Sequence, residues 1–223
     1  MKSFKEQLIE TWKIFQENWV SFFIVFVINS FIAIICFIPL GLSAMKMGLD
    51  ANFNEEQLFV LVRNPQFLLV FFVSLTLAFA MYLLSITTSF ELANGEKKWK
   101  KAFKKALSSY GKIYFMVLLG TSLATLGFCL FIIPGILILF FLSFIFPIVV
   151  IEKTGIIETM KKSYSVIKAN WKVVVSRFAL FSLVSIIFFF FTNILHLGSL
   201  NSAVSLIFLP IFYTVLYKEL RKE

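Results

Sequence analysis

Between Lys112 and Glu152 the chain runs for 39 residues, Ile113 to Ile151, without a charged side chain. One straight helix of that length would extend about 58 Å at ~1.5 Å per residue, roughly twice the ~30 Å hydrocarbon thickness of a bilayer. Pro134-Gly135 falls near its middle. The run therefore reads as two membrane-spanning helices joined by a tight hairpin at that dipeptide. A second run of 40 uncharged residues, Phe178 to Tyr217, divides in the same way around Asn193, His196, Gly198 and Asn201. Both runs are apolar all round, whereas membrane β-strands alternate at every second residue. The spans are expected to be helices.

The rest of the chain supplies two more. Residues 18–45 hold a first span, with Pro39 and Gly41 marking its outer end, and residues 64–90 hold a second that closes at Glu91. Ser85, Thr87, Thr88 and Ser89 fall in the last turns of that second span. Their hydroxyls can bond to backbone carbonyls or to a neighbouring helix. A hydrophobic fraction of 60%, with 30 phenylalanines among 223 residues, fits this class and exceeds the ~45–50% of soluble domains. Six spans leave no stretch for a separate soluble domain, so residues 1–223 read as a single integral membrane domain.

The net charge of +9 raises the question of nucleic acid, and the placement of the charges answers it. With both termini inside, nineteen of the 21 basic residues fall on the inner side, leaving only Lys46 and Arg63 outside. That asymmetry orients a membrane protein with cytosolic termini. The implied partners are anionic lipid headgroups, with a protein partner also open, and not nucleic acid. Lys97, Lys98 and Lys101 beside Trp99 are the densest such footprint.

Three segments between the apolar runs carry a helical seam. Leu8, Trp12, Phe15 and Trp19 form one; Phe103, Ala106, Tyr110, Ile113 and Val117 a second; Ile157, Met160, Tyr164, Ile167 and Trp171 a third. Steps of three and four put each set on one helix face. In the third, Glu158, Lys161, Lys162, Ser165 and Lys168 take the opposite face, as in a basic amphipathic helix lying in a lipid interface. A seam alone requires only a helix entering a membrane. The first and third segments share more: at a shift of 152 Glu6 matches Glu158, Thr11 matches Ser163 and Asn18-Trp19 matches Asn170-Trp171. The chain thus reads as three units, about 1–91, 95–152 and 154–217. Each would be an interfacial amphipathic helix followed by a two-span hairpin, in a pseudo-threefold bundle.

Chemistry-bearing groups are sparse. His196 is the only histidine and reads as a loop residue, and no zinc-ligand spacing, phosphate loop or nucleophile elbow is present. No catalytic residue, metal ligand or cofactor is expected. Cys36 and Cys129 lie inside apolar runs and read as small hydrophobes rather than a disulfide. Arg177, a turn or two into the fifth span, is expected to snorkel to the headgroups. Glu91 and Glu152 each end a span, where the negative helix terminus disfavours a carboxylate. Glu152 is expected to pair with a cation, with Arg177 as candidate, and to lock the turn into the next helix.

The run Pro134-Gly135, Pro147, Glu152, a glycine, and then Glu158, Ser163-Tyr164 and Asn170-Trp171 resembles the family called glycerophosphoryl diester phosphodiesterase membrane domain. It is similar too to six-span inner-membrane proteins of bacteria. Thr159 stands where that pattern usually has Ala. The resemblance covers about residues 100–217, and it implies a multi-pass module of a bacterial cytoplasmic membrane without the family's separate catalytic domain. The expected function is a non-enzymatic accessory or scaffold module. The alternative is a small transporter or exporter component, for which Asn29, Ser30, Ser74, Thr76, Ser122 and Thr125 would have to converge on a cavity.

Overall fold

The computed structural model describes residues 2–47, 59, 61–194 and 199–221. His196 and Gly198, with Asp50, Glu55 and Glu56 and the side chain of Asn201, lie outside the described residues. Among the described residues the chain is helical and has no strand. In order the helices are α1 (Phe4–Lys46), α2 (Pro65–Ala93), α3 (Trp99–Leu130), α4 (Ile132–Phe141), α5 (Ile145–Glu152), α6 (Ile156–Ala169), α7 (Trp171–Ile194) and α8 (Ser199–Leu220). Among the described residues five stretches are long and apolar enough to cross a membrane: α1, α2, α3, α4 with α5, and α7.

Several boundaries differ from the sequence expectation, for physical reasons. Pro39 does not end the helix that holds the first apolar run: α1 continues through it to Lys46. In apolar surroundings every unpaired backbone group costs several kcal/mol, so a helix that loses one bond at a proline keeps the rest. The first and second amphipathic segments are not separate helices either. No glycine or proline interrupts residues 4–38, and α1 carries the seam of Leu8 and Trp12 directly into its span. α3 does the same. Only the third segment stands alone as α6, ended by a break at Asn170. α2 ends in a turn at Asn94-Gly95, with Gly95 adopting a φ of 114°.

The hairpin of the 39-residue run turns at Phe131, three residues before Pro134. Phe131, extended at φ −161° and ψ 152°, separates α3 from α4. Pro134 then sits in the first turn of α4, where its missing N–H would have had no intrahelical partner. Gly135 serves packing instead. A Cβ on Gly127 would come within 2.9 Å of the Gly135 backbone, and one on Gly135 within 2.5 Å of the Phe128 ring. Gly120, Ala124 and Gly127 form a buried small-residue seam on α3, against which α4 lies at close range.

The helix breaks again at residues 142–144, and α5 follows. Ile145, Pro147, Ile148, Val149 and Val150 of α5 are all buried, so this short helix is surrounded. One side, with Phe144, packs against Ile167 of α6, Val174 of α7 and Phe212, Leu216 and Tyr217 of α8. The other packs Ile145 and Val149 against Ile113 and Met116 of α3.

By contacts the chain forms two compact units. One comprises Met1–Phe26 with Leu84–Glu223, and the other Val27–Leu83. The smaller unit holds a cavity of about 300 Å³ flanked by Asn29 and Ala33 of α1 and by Leu75, Ala78 and Tyr82 of α2.

Candidate functional site

The polar groups that sequence singled out gather around the turn from α5 into α6. α5 ends at Glu152, and Lys153 follows in the left-handed region at φ 55° and ψ 29°, its N–H bonded to the Val149 carbonyl. That reversal lets α6 fold back along α5. Thr154 and Thr159 share a hydroxyl–hydroxyl bond of 2.7 Å across the turn, and the Thr159 Oγ1 also donates to the Gly155 carbonyl at 2.8 Å.

Glu152 has a side chain only 8% exposed. Its Oε2 accepts from Lys162 Nζ of α6, and its Oε1 accepts from the Tyr217 hydroxyl of α8 at 2.5 Å. Arg221 Nε, just beyond α8, lies 3.4 Å from the same Oε1. A carboxylate removed from water is costly unless paired and hydrogen-bonded, and here three donors supply that pairing. The expectation of a cation partner holds, but the partner is not Arg177. Arg177 instead donates from Nη2 to the Lys2 carbonyl at 3.0 Å and lies 5.8 Å from the Phe4 ring centroid. It is tied to the chain start.

That start is fastened to α8 as well. Ser3 and Glu6 form a capping box: the Ser3 N–H donates to Glu6 Oε2 at 2.6 Å and the Glu6 N–H to Ser3 Oγ at 3.3 Å. Gln7 Nε2 donates to Glu219 Oε2 at 2.6 Å, and the Lys2 N–H donates to Glu219 Oε1.

Ser163 of the repeated hydroxyl–aromatic pair is buried and donates to the Phe141 carbonyl at 2.6 Å. It therefore satisfies a carbonyl at the end of α4, where the helical bond ladder stops. Because α6 reaches Phe141 through Ser163 and Glu152 through Lys162, its axis follows α5. The Tyr164 ring packs on Phe141 at 4.8 Å between centroids. Asn170 donates from Nδ2 to the Val166 carbonyl at 3.2 Å, and Asn18 makes the same bond to Ile14 at 3.3 Å. Trp171 is 57% exposed, close to the 55% of Trp19. Glu158 is exposed in the first turn of α6, where the helix dipole favours it.

In both α1 and α6 the buried face includes polar side chains. Gln7, Thr11, Asn18 and Ser21 are buried on α1, and Thr159, Ser163 and Ile167 on α6. The seams are split: Trp19 and Trp171 are more than half exposed, whereas Trp12 and Phe15 pack on Phe208 of α8 and Ile167 is fully buried.

The lysine-rich stretch opens α3. Lys97, Lys98 and Lys101 are exposed and Trp99 is half-buried, with Lys100 Nζ 5.7 Å from the Trp99 ring centroid. The first turn of α3 contains no acidic residue. Ser21 Oγ of α1 donates to the Lys97 carbonyl at 2.9 Å. Lys105 Nζ meets Glu96 Oε2 at 2.7 Å, and that hydrogen bond holds the Glu96 carboxyl below its ordinary range.

Comparison with family models, with curated proteins and with solved structures finds no match. Function has to be argued from the geometry alone.

Among the described residues no three His, Cys, Asp or Glu side chains lie close enough together to hold one metal ion. Cys36 and Cys129 are free thiols. Of the candidates for a polar path, Thr76, Ser122 and Thr125 are exposed, each donating to the carbonyl four residues back, and Ser74 is buried. Glu91 is buried near the end of α2. The groups that sequence reading missed are Tyr217, Arg221, Gln7 and Glu219. Only the Ser3-x-x-Glu6 capping box had a local signature; Tyr217 and Arg221 reach Glu152 from 65 or more residues away, and Gln7 reaches Glu219 across most of the chain's length.

Proposed function

We propose that this chain is a six-span helical module of a bacterial cytoplasmic membrane with both termini cytosolic. α8 serves as the sixth span, and the module acts as a non-enzymatic scaffold or accessory element held against anionic lipid. The observation that carries the reading is the start of α3. Cations near a helix N-terminus oppose the macrodipole by about 0.3–1 kcal/mol each, so four lysines at positions 97, 98, 100 and 101 weaken the helix they begin. An anionic surface reverses that balance, at about 1 kcal/mol of attraction per lysine.

The matched burial of Gln7 with Thr159 and Thr11 with Ser163, and the matched bonds of Asn18 and Asn170, support a duplicated unit. The resemblance to the glycerophosphoryl diester phosphodiesterase membrane domain belongs to the same proposal. Lipid-exposed hydroxyls that are satisfied within their own helices favour this reading over a transport path.

Thermal unfolding in nanodiscs tests it. Phosphatidylglycerol should raise Tm over phosphatidylcholine alone, and the gain should shrink with salt. Replacing Lys97, Lys98, Lys100 and Lys101 by Gln should remove most of it. Equal Tm in the two lipids would refute the lipid role.

A further inference from the structure

A groove of about 670 Å³ runs along the outside of α4, α6 and α7. Leu137 and Phe140 form one wall, Val175 and Ala179 the other, and Tyr164, Lys168 and Trp171 gather at one end. Trp171, Val175, Ala179 and Ser182 follow one another at steps of four, four and three on a single face of α7. The small side chains at 179 and 182 leave the channel open beside α4. From Trp171 to Ser182 the helix rises about 16 Å at ~1.5 Å per residue. Half of a ~30 Å hydrocarbon core is about 15 Å, so the groove has the length of one leaflet.

Its polarity is sorted by end. Lys168 is the one charged residue lining it, and its Nζ lies 5.7 Å from the Tyr164 ring centroid. Trp171 and Tyr164 are exposed beside it, as aromatic rings are at headgroup depth. Away from that end the lining is apolar except for the Ser182 hydroxyl.

We propose that this groove binds one anionic phospholipid of the cytosolic leaflet, an acyl chain lying between α4 and α7 and the phosphate meeting Lys168. The competing occupant is a membrane helix from a second copy. Such a helix needs about 30 Å of apolar length, about twice that of the groove. The inference rests on the anionic-lipid reading above and narrows it to one site.

The test is native mass spectrometry of the full chain extracted from mixed membranes, counting retained phosphatidylglycerol against phosphatidylcholine. It is combined with labelling by a phosphatidylglycerol that carries a photoreactive acyl chain. Label is expected on 136–141 and 175–182. Lys168→Gln, an exposed substitution, should weaken retention of phosphatidylglycerol about fivefold while leaving phosphatidylcholine unchanged. Ala179→Trp should block the label, and Ser182→Phe serves the same purpose if the tryptophan variant does not fold.

Unchanged retention and labelling in Lys168→Gln and in a folded groove-filling variant would overturn the proposal. The variant with Gln at positions 97, 98, 100 and 101 separates the two claims. If it alone abolishes phosphatidylglycerol retention, the general lipid reading survives and the groove site falls; if no variant affects retention, both fall. Efficient disulfide trapping of two copies through Ser182→Cys, in a chain with Cys36 and Cys129 replaced by Ser, would place a second chain in the groove and also overturn it.

Discussion

Glu152 has a carboxylate that is 8% exposed and donors that come from two later stretches of chain, α6 and residues 217–221. Removing one side of a buried pair is strongly destabilising, so Glu152→Gln should lower unfolding stability by about 3 kcal/mol. Tyr217→Phe, which deletes only the hydroxyl, should cost about 1.5–3 kcal/mol, the range for a hydrogen bond to a charged group. The two pairings of Glu152 also predict different couplings. A double-mutant cycle between Glu152 and Lys162, read by thermal unfolding in nanodiscs, should show clear non-additivity. The same cycle between Glu152 and Arg177 should be additive, because Arg177 spends its hydrogen bond on the Lys2 carbonyl. Sequence reading reached Glu152 because a carboxylate at the negative end of a helix needs a reason. It did not reach Tyr217, whose position after an apolar run marks it only as a boundary aromatic. The pairing joins residues 65 apart, and no local periodicity encodes it.

Among the helices, the spans were the most legible part and their joints the least. Charge-free length alone predicts the α3–α4 hairpin, yet Phe131 makes the turn and Gly135 makes the contact. A glycine reads the same whether a turn or a close approach requires it. The 2.9 Å that a Cβ on Gly127 would meet is to backbone, which cannot swing aside. Gly127→Ala should therefore push α3 from α4 and lower stability by about 1–3 kcal/mol, the ordinary cost of overpacking, measurable as a fall in Tm. Gly111 makes the opposite case. A Cβ there meets nothing within 4 Å, so Gly111→Ala should leave that packing undisturbed. At the turn into α6, Lys153 holds a left-handed conformation that costs a side-chain-bearing residue about 1–2 kcal/mol. Lys153→Gly should relieve much of that and raise Tm in thermal unfolding.

For the whole molecule, charge and burial divide the chain in different ways. The basic residues cluster in the segments between apolar runs, whereas the buried side chains concentrate in the unit built from Met1–Phe26 and Leu84–Glu223. Cysteines placed at Lys101, Lys161 and Arg221 in a chain with Cys36 and Cys129 replaced by Ser should react with an impermeant thiol reagent only from the cytosolic face. One at Arg63 should react only from the opposite face. Labelling of Arg63→Cys from the cytosolic side would break the six-span topology. The order in which the chain is made adds a consequence. α5 and its turn are synthesised long before Tyr217 and Arg221, and at ~5–20 residues per second the interval is a matter of seconds. Until then Lys162 is the one donor of the three available to Glu152. Closure of the carboxylate thus depends on the arrival of α8, so a chain stalled or cut before residue 217 leaves Glu152 with only Lys162 of its three partners.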